Sequence, residues 1–389
     1  MSTSVETRTV SLDSLIERPD RYRVSVAEYI KYRDQGFLVV PQLVPPQEIE
    51  ELRRHTDDLM QGRLPEQNRS MKERDTAKDG GVTMQELEAP PAHLSPEEKA
   101  QFFLRIHMLH RKLELHERYL LHPRVLDVLE ALIGPDVLAL QTMLFLKPPG
   151  KPGQGWHQDS YYIPTTPDSL LGAWIAIDDC DELNGAMWMA VGSHHEPVYP
   201  PHDGYGYGDR QLGDITSVGG VSNPNDDEND LAKIADKYPQ VLVEAKAGDV
   251  VFFHSHVLHR SKKNYSTDRY RRSFVSHYCN ARSFTQWGGD APSNDVHAAH
   301  CIDPVTGMTN GSHILARGDS HLPFALPRFG TPCAALLDPA ERRRGSDYAA
   351  ASMGDVDSGM MGTMPTDPNA DHDHDKPTAQ NRSNGYSGY

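Results

Sequence analysis

Gly155-Trp156-His157-Gln158-Asp159 places a histidine and a carboxylate two residues apart, and Leu258-His259-Arg260-Ser261 supplies a second histidine 102 positions after the first. On an extended strand, residues i and i+2 share a face, so His157 and Asp159 are expected to project together while Gln158 turns away. A third ligand so distant in sequence calls for a fold whose strands return to one another. Two imidazoles and one carboxylate on one face of a metal form a 2-His-1-carboxylate set, which suits iron(II) and leaves positions open for other ligands. In a chain with 20 histidines and 55 acidic residues an H-x-D pair alone is a weak signal, so the weight falls on its surroundings.

Those surroundings are ordered. Gln141-Thr142-Met143-Leu144-Phe145-Leu146-Lys147 reads as a strand and ends in the turn Pro148-Pro149-Gly150. Trp174 stands 17 residues past His157, followed by Asn184-Gly185-Ala186 and Val191-Gly192-Ser193-His194. Gly248-Asp249-Val250-Val251-Phe252-Phe253-His254 leads into His259, and Asp268-Arg269-Tyr270-Arg271-Arg272 lies beyond it. Taken together, these segments resemble the phytanoyl-CoA dioxygenase family of iron(II)/2-oxoglutarate oxygenases, over roughly residues 25–60 and 100–290.

The resemblance implies that His157, Asp159 and His259 hold the metal and carry catalysis. An arginine after the distal histidine would bind the far carboxylate of 2-oxoglutarate, for which a planar, permanently charged fork suits better than an ammonium. Aligning the basic run implies a one-residue insertion near Thr267 and makes Arg271 the first choice, with Arg272 second. Adjacent strand residues face opposite ways, so only one of the two reaches a pocket. Ser261 would add a hydrogen bond to that carboxylate. Met143, Trp174, Gln141 and Arg105 complete the co-substrate set, although Met143, Trp174 and Phe253 also suit plain core. His254 and His256 compete with His259 as ligand; on a regular strand they take the opposite face.

The implied reaction converts 2-oxoglutarate and dioxygen to succinate and carbon dioxide while hydroxylating or desaturating a C–H bond of a small molecule, with ascorbate as a candidate reductant. Asp159 favours these outcomes over halogenation, for which the carboxylate position must be free for halide. Two alternatives stay open: a metal enzyme of the same fold that does not use 2-oxoglutarate, and a non-catalytic binding protein.

At 389 residues and a net charge of −16, the chain can bury a large core and is a poor generic partner for nucleic acid or anionic membrane. Cys180, Cys279, Cys301 and Cys333 are widely spaced, which reads as reduced thiols. No apolar run reaches membrane-spanning length and the N-terminus has no signal-peptide pattern, so the cytoplasm is the expected location. A monomer or homodimer is expected.

Residues 1–24 read as a mobile N-terminus, and 25–340 as one domain. Within it, helices are expected over 26–35, from Pro45-Pro46, over 96–111 and over 123–133, a strand over 37–40, and a surface loop over 61–95. Strands are expected over 137–146, 155–160, 171–178, 186–190, 241–246, 249–254 and 272–280. Many short strands after N-terminal helices suit a mainly β fold, a double-stranded β-helix or jelly-roll barrel. The aperiodic insertion 196–240 is expected to form a lid, with Tyr205 and Tyr207, and Gln158 nearer the metal, as candidate substrate contacts. Its acidic run Asp226-Asp227-Glu228 argues against a CoA thioester as substrate. Residues 341–389 read as a disordered acidic tail.

Overall fold

The structure is a computed structural model; it describes residues 18–68, 82–84, 89–199, 229–285 and 313–322, with 325, 327 and 329. Helix α1 (Val26–Gln35) starts at a capping box, in which Ser25 accepts from the Glu28 amide and Glu28 accepts from the Ser25 amide. It stops at Gly36, whose φ of +84° suits a residue without Cβ. Strand β1 (Phe37–Val40) and helix α2 (Pro46–Met60) follow. Helix α2 opens on proline, whose missing amide costs nothing in a first turn, and buries Ile49, Leu52, Thr56 and Leu59 on one side.

Between α2 and residue 112 the chain departs from expectation. The 61–95 segment contains strand β2 (Val82–Met84). The helix expected over 96–111 is only α3 (Pro96–Ala100), followed by strand β3 (Phe103–His107) and a 3-10 turn at Leu109–Arg111. Strand β3 lies alongside β4 (Val137–Lys147) with Arg105 opposite Phe145 and His107 opposite Met143. A partner strand more than 30 residues away overrides a local helical pattern, a nonlocal effect that propensity does not carry. Helices α4 (Glu114–Leu120) and α5 (Pro123–Ile133) complete the N-terminal layer.

Residues 18–24, read from composition as mobile, are docked on α5. Arg18 pairs with Asp127, the Tyr22 amide donates to the same carboxylate, and Arg21 pairs with Glu130.

The remaining elements are β5 (Gln154–His157), α6 (Asp159–Tyr162), β6 (Leu171–Ala176), β7 (Met187–Ala190), α7 (Ala232–Ala235), β8 (Gln240–Val243), β9 (Val250–His254), β10 (His259–Ser261), β11 (Arg271–Asn280) and β12 (Ile314–Arg317). They form two sheets. The larger has the order β1-β9-β6-β11-β4-β3-β2, with β12 also on β4; the smaller runs β5-β10-β7-β8. Every pairing is antiparallel except β2 with β3. Among the described residues the sheets do not close into one hydrogen-bonded barrel.

The larger sheet is covered on both faces. One face packs on the helices through residues such as Leu38, Leu144, Phe252 and Phe274. The other meets the smaller sheet through Trp174, Met189, Val251, Phe253 and Val275. This two-sided burial explains why β6 and β9 read as unbroken apolar runs rather than alternating ones. The tail after 340 and residues 200–228 of the expected lid, including Tyr205 and Tyr207, lie outside the described residues. From residue 229 the insertion is tied back to β5, where Asn229 Nδ2 donates to the Trp156 carbonyl at 2.7 Å.

Candidate metal centre and cavity

The smaller sheet closes the long gap in the sequence motif. His157 ends β5, His259 begins β10, and the two are cross-strand partners. Their ring centroids lie 4.0 Å apart. Each ring is bound to its own backbone two residues earlier: His157 Nδ1 donates to the Gly155 carbonyl at 2.8 Å and His259 Nδ1 to the Val257 carbonyl at 3.0 Å. Those bonds fix the proton on Nδ1 and leave both Nε2 lone pairs pointing at one spot. Ser193 braces the approach to His259, donating to the Ala190 carbonyl at 2.7 Å and accepting from the Leu258 amide at 2.8 Å.

Asp159 reaches the same spot by a different route from the one the spacing implied. The strand expected over 155–160 ends at His157, and Asp159 is the first residue of α6. Gln158 is the extended pivot between them, and its side chain donates to the Pro197 and His256 carbonyls and accepts from the Tyr199 amide. It therefore pins the start of the 196–240 insertion and does not line the cavity. Asp159 Oδ1 stands 3.6 Å from His157 Nε2 and 3.7 Å from His259 Nε2. The ligand atoms of His157, Asp159 and His259 all lie within 4.8 Å of one another, the only such group of three among the described residues.

Protonation suits a metal. Burial, helped by neighbouring His259, pushes the His157 imidazole down to about 3, so its Nε2 is an unprotonated donor at neutral pH. Burial alone would raise Asp159, but His259, His277 and His157 outweigh it and hold the carboxyl well below its ordinary range. Two imidazole nitrogens and one anionic oxygen, converging on one spot, fit a divalent iron with open positions. His254 and His256 take no part: β9 ends at His254, a turn follows, and His256 Nε2 lies 2.6 Å from Asp168 Oδ2. No regular strand runs from 254 to 259, so the opposite-face argument does not apply to them.

The centre opens into a cavity of about 400 Å³ whose floor is the larger sheet. Gln141, Met143, Phe145 and Lys147 alternate along β4, and Arg271, Val275 and His277 along β11. Arg271 sits opposite Lys147, and His277 opposite Gln141. Trp174 on β6 is level with Val275 and forms part of the wall, and Arg105 contributes from β3.

Arg271 is 4% exposed. Its Nε donates to the Gly185 carbonyl at 3.2 Å and its Nη1 to Ser273 Oγ at 3.3 Å, and no carboxylate pairs with it among the described residues. Burial pulls it down only to about 10, so it stays cationic. Arg272 points to the other face, where Asp178 takes its Nε and Nη2 at 2.8 and 2.9 Å and Asp57 its Nη1. Lys147 Nζ, also buried, donates to Ser261 Oγ at 3.0 Å and shares the Gly185 carbonyl with Arg271. Gly185 itself needs its φ of +82°, and a Cβ there would meet the Lys262 carbonyl at 2.7 Å.

The sequence motifs gave no hint of His277, whose Nε2 lies 2.8 Å from Asp159 Oδ2, nor of Lys147 as a partner of Ser261. The available signal for His277 was period-two spacing on β11: it falls six residues after Arg271, on the same face.

Residues 32–273 match the family model described as Phytanoyl-CoA dioxygenase (PhyH). The chain is 28% identical over 253 residues to the peroxisomal phytanoyl-CoA dioxygenase of Rattus norvegicus, covering 64% of this chain and 66% of the relative. It is 29% identical over 256 residues to the Homo sapiens protein of that name, covering 64% and 67%. It thus spans about two thirds of the length of these curated relatives. Among solved structures, the non-heme alpha ketoglutarate dependent carbocyclase SnoK from nogalamycin biosynthesis aligns with a TM-score of 0.48 at 20% identity, covering 68% of this chain and 87% of that one.

Proposed function

We propose that this chain, which belongs to the phytanoyl-CoA dioxygenase family, is an iron(II)- and 2-oxoglutarate-dependent oxygenase acting on a small molecule. One observation carries the reading: a single cavity joins a 2-His-1-carboxylate cluster to a buried guanidinium with no carboxylate partner among the described residues. A buried charge without a counter-ion is costly, so an arginine in this state favours an anionic ligand.

His157, His259 and Asp159 would hold the iron. Bound there, the iron would activate dioxygen, with 2-oxoglutarate going to succinate and carbon dioxide and one oxygen atom going to the substrate in a hydroxylation; desaturation is the other outcome in this reading. Arg271 would take the far carboxylate of 2-oxoglutarate in its fork. Ser261 Oγ already accepts from Lys147 Nζ and from the Gln154 amide at 3.3 Å, so its own proton is left to donate to that carboxylate. Met143, Phe145 and Trp174 would flank the co-substrate's methylenes and keep water away from it. Gln141 and Arg105 line the same cavity and complete the set. In this reading the two sheets are the walls of a double-stranded β-helix. The buried free thiols Cys180 and Cys279 fit a reducing, cytoplasmic setting, and no helix among the described residues is long and apolar enough to cross a membrane.

The test is anaerobic addition of iron(II) and 2-oxoglutarate to the full chain, read by the weak visible charge-transfer band of the chelate. The band is expected in the wild type, lost in His157→Ala, and obtained in Arg271→Ala only at higher 2-oxoglutarate. Bound iron without a band would remove 2-oxoglutarate from the reading; no iron binding would remove the metal enzyme.

A further inference from the structure

His277 belongs to no part of the ligand set, yet it makes the closest polar contact to one of its members. The ring is 2% exposed, on β11, between β4 on one side and β6 on the other. Its Nε2 is 2.8 Å from Asp159 Oδ2. Its Nδ1 has no hydrogen-bond partner among the described residues. That asymmetry settles the proton's place. A neutral ring protonated on Nδ1 would bury an unpaired N–H and turn a lone pair toward a carboxylate oxygen, two costs at once. Nε2 therefore carries a proton and donates it to Oδ2.

The two oxygens of Asp159 thus have separate duties. Oδ1 faces both ligand nitrogens, at 3.6 and 3.7 Å. Oδ2 is engaged by His277. A carboxylate with both oxygens free can swing to chelate a metal through the pair, which fills a position that a bidentate co-substrate or dioxygen would need. Among the described residues no other hydrogen bond holds the Asp159 carboxylate, which opens the four-residue α6 rather than sitting within a strand. His277, by contrast, is held in the centre of the larger sheet, opposite Gln141 on β4 and Gly172 on β6.

We propose that His277 is a positioning residue of the metal centre: by donating to Asp159 Oδ2 it limits the carboxylate to one coordinating oxygen and orients that oxygen toward His157 and His259. The inference rests on the metal-centre reading above and extends it to a residue outside the ligand set. Its prediction is a coupling: His277 matters to metal binding only through Asp159.

The experiment measures manganese(II) affinity of the metal-free full chain by electron paramagnetic resonance, so that no turnover is needed. His277→Ala is expected to weaken binding about 10- to 100-fold, the usual cost of losing a residue that orients a ligand. His277→Gln, which keeps an N–H donor, is expected to restore most of that loss. His277→Leu, close in volume and without a donor, should behave as the alanine variant does, and serves if alanine leaves the sheet unfolded by circular dichroism. In an Asp159→Ala background, His277→Leu should change affinity less than about twofold, because a pairwise interaction vanishes once its partner is gone. Wild-type affinity in both His277→Ala and His277→Leu would overturn the proposal. So would an equal loss with and without Asp159, which would mark His277 as packing alone. Failure of the wild type to bind manganese(II) would overturn the oxygenase reading as well, and is thereby told apart from failure of this inference.

Discussion

Arg271 and Arg272 are neighbours in sequence and have opposite surroundings. Arg271 enters the cavity with no acidic partner among the described residues, whereas Arg272 is held by Asp178 and Asp57 on the helical side. Arg271→Lys keeps the charge and loses the fork. It is expected to weaken 2-oxoglutarate binding by about 1.5–3 kcal/mol, the worth of hydrogen bonds to a charged group, with no loss of thermal stability. Titration of the charge-transfer band beside a melting curve checks both halves. Arg272→Ala should invert the pattern, costing roughly 1–3 kcal/mol of stability by leaving the Asp178 carboxylate short of donors while the band titrates as in the wild type. At this scale the sequence is informative where chemistry is local. The triad and Ser261 are legible from short motifs, and alternation says that one arginine of the pair turns inward. Which one does so depends on the register Arg271 opposite Lys147, a fact about a distant strand. For His277 the spacing on β11 gives the face but not the contact, because its partner lies 118 residues upstream.

At the scale of elements, the metal centre depends on β5 lying against β10. Gly153, just before β5, makes that approach possible, since a Cβ there would stand 1.7 Å from the Ser261 carbonyl oxygen. The obstacle is backbone, which cannot swing aside as a side chain would. Gly153→Ala is therefore expected to push the two strands apart, with a loss of at least about 1–3 kcal/mol, the usual cost of overpacking. It should also weaken manganese(II) binding, although position 153 contributes no ligand. Unchanged metal affinity and stability would show that the β5–β10 junction can yield. Strands such as β6 and β9 are visible in the sequence because burial on both faces leaves nearly continuous hydrophobic runs. Strand β3 is not. The Ser95–Glu98 capping box announces a helix that in fact ends at Ala100, and only pairing with β4 reveals why.

At the scale of the whole molecule, several histidines outside the candidate metal site are buried or half-buried in neutral form. Burial, with smaller contributions from neighbouring histidines or Arg105, pushes His107 and His254 down to about 4 and His116 well below its ordinary 6.5. The sign follows from linkage. In the unfolded chain these rings take up protons as pH falls past about 6.5, while the folded chain resists until about 4, so the unfolded state binds more protons in that window. Stability of the metal-free protein should therefore be level above neutrality and fall steadily between about pH 6.5 and 4. A melting series across pH checks this; a profile flat down to pH 4 would show that these rings are not held neutral. The hydrogen bonds from His157 and His259 to the carbonyls of Gly155 and Val257 have a different kind of reach. Because each ring takes its orientation from its own main chain, no side chain elsewhere is needed to choose its tautomer. Lineages descended from such a chain could exchange the residues of the cavity wall, and with them the ligand the cavity takes, without having to reinvent the two histidines.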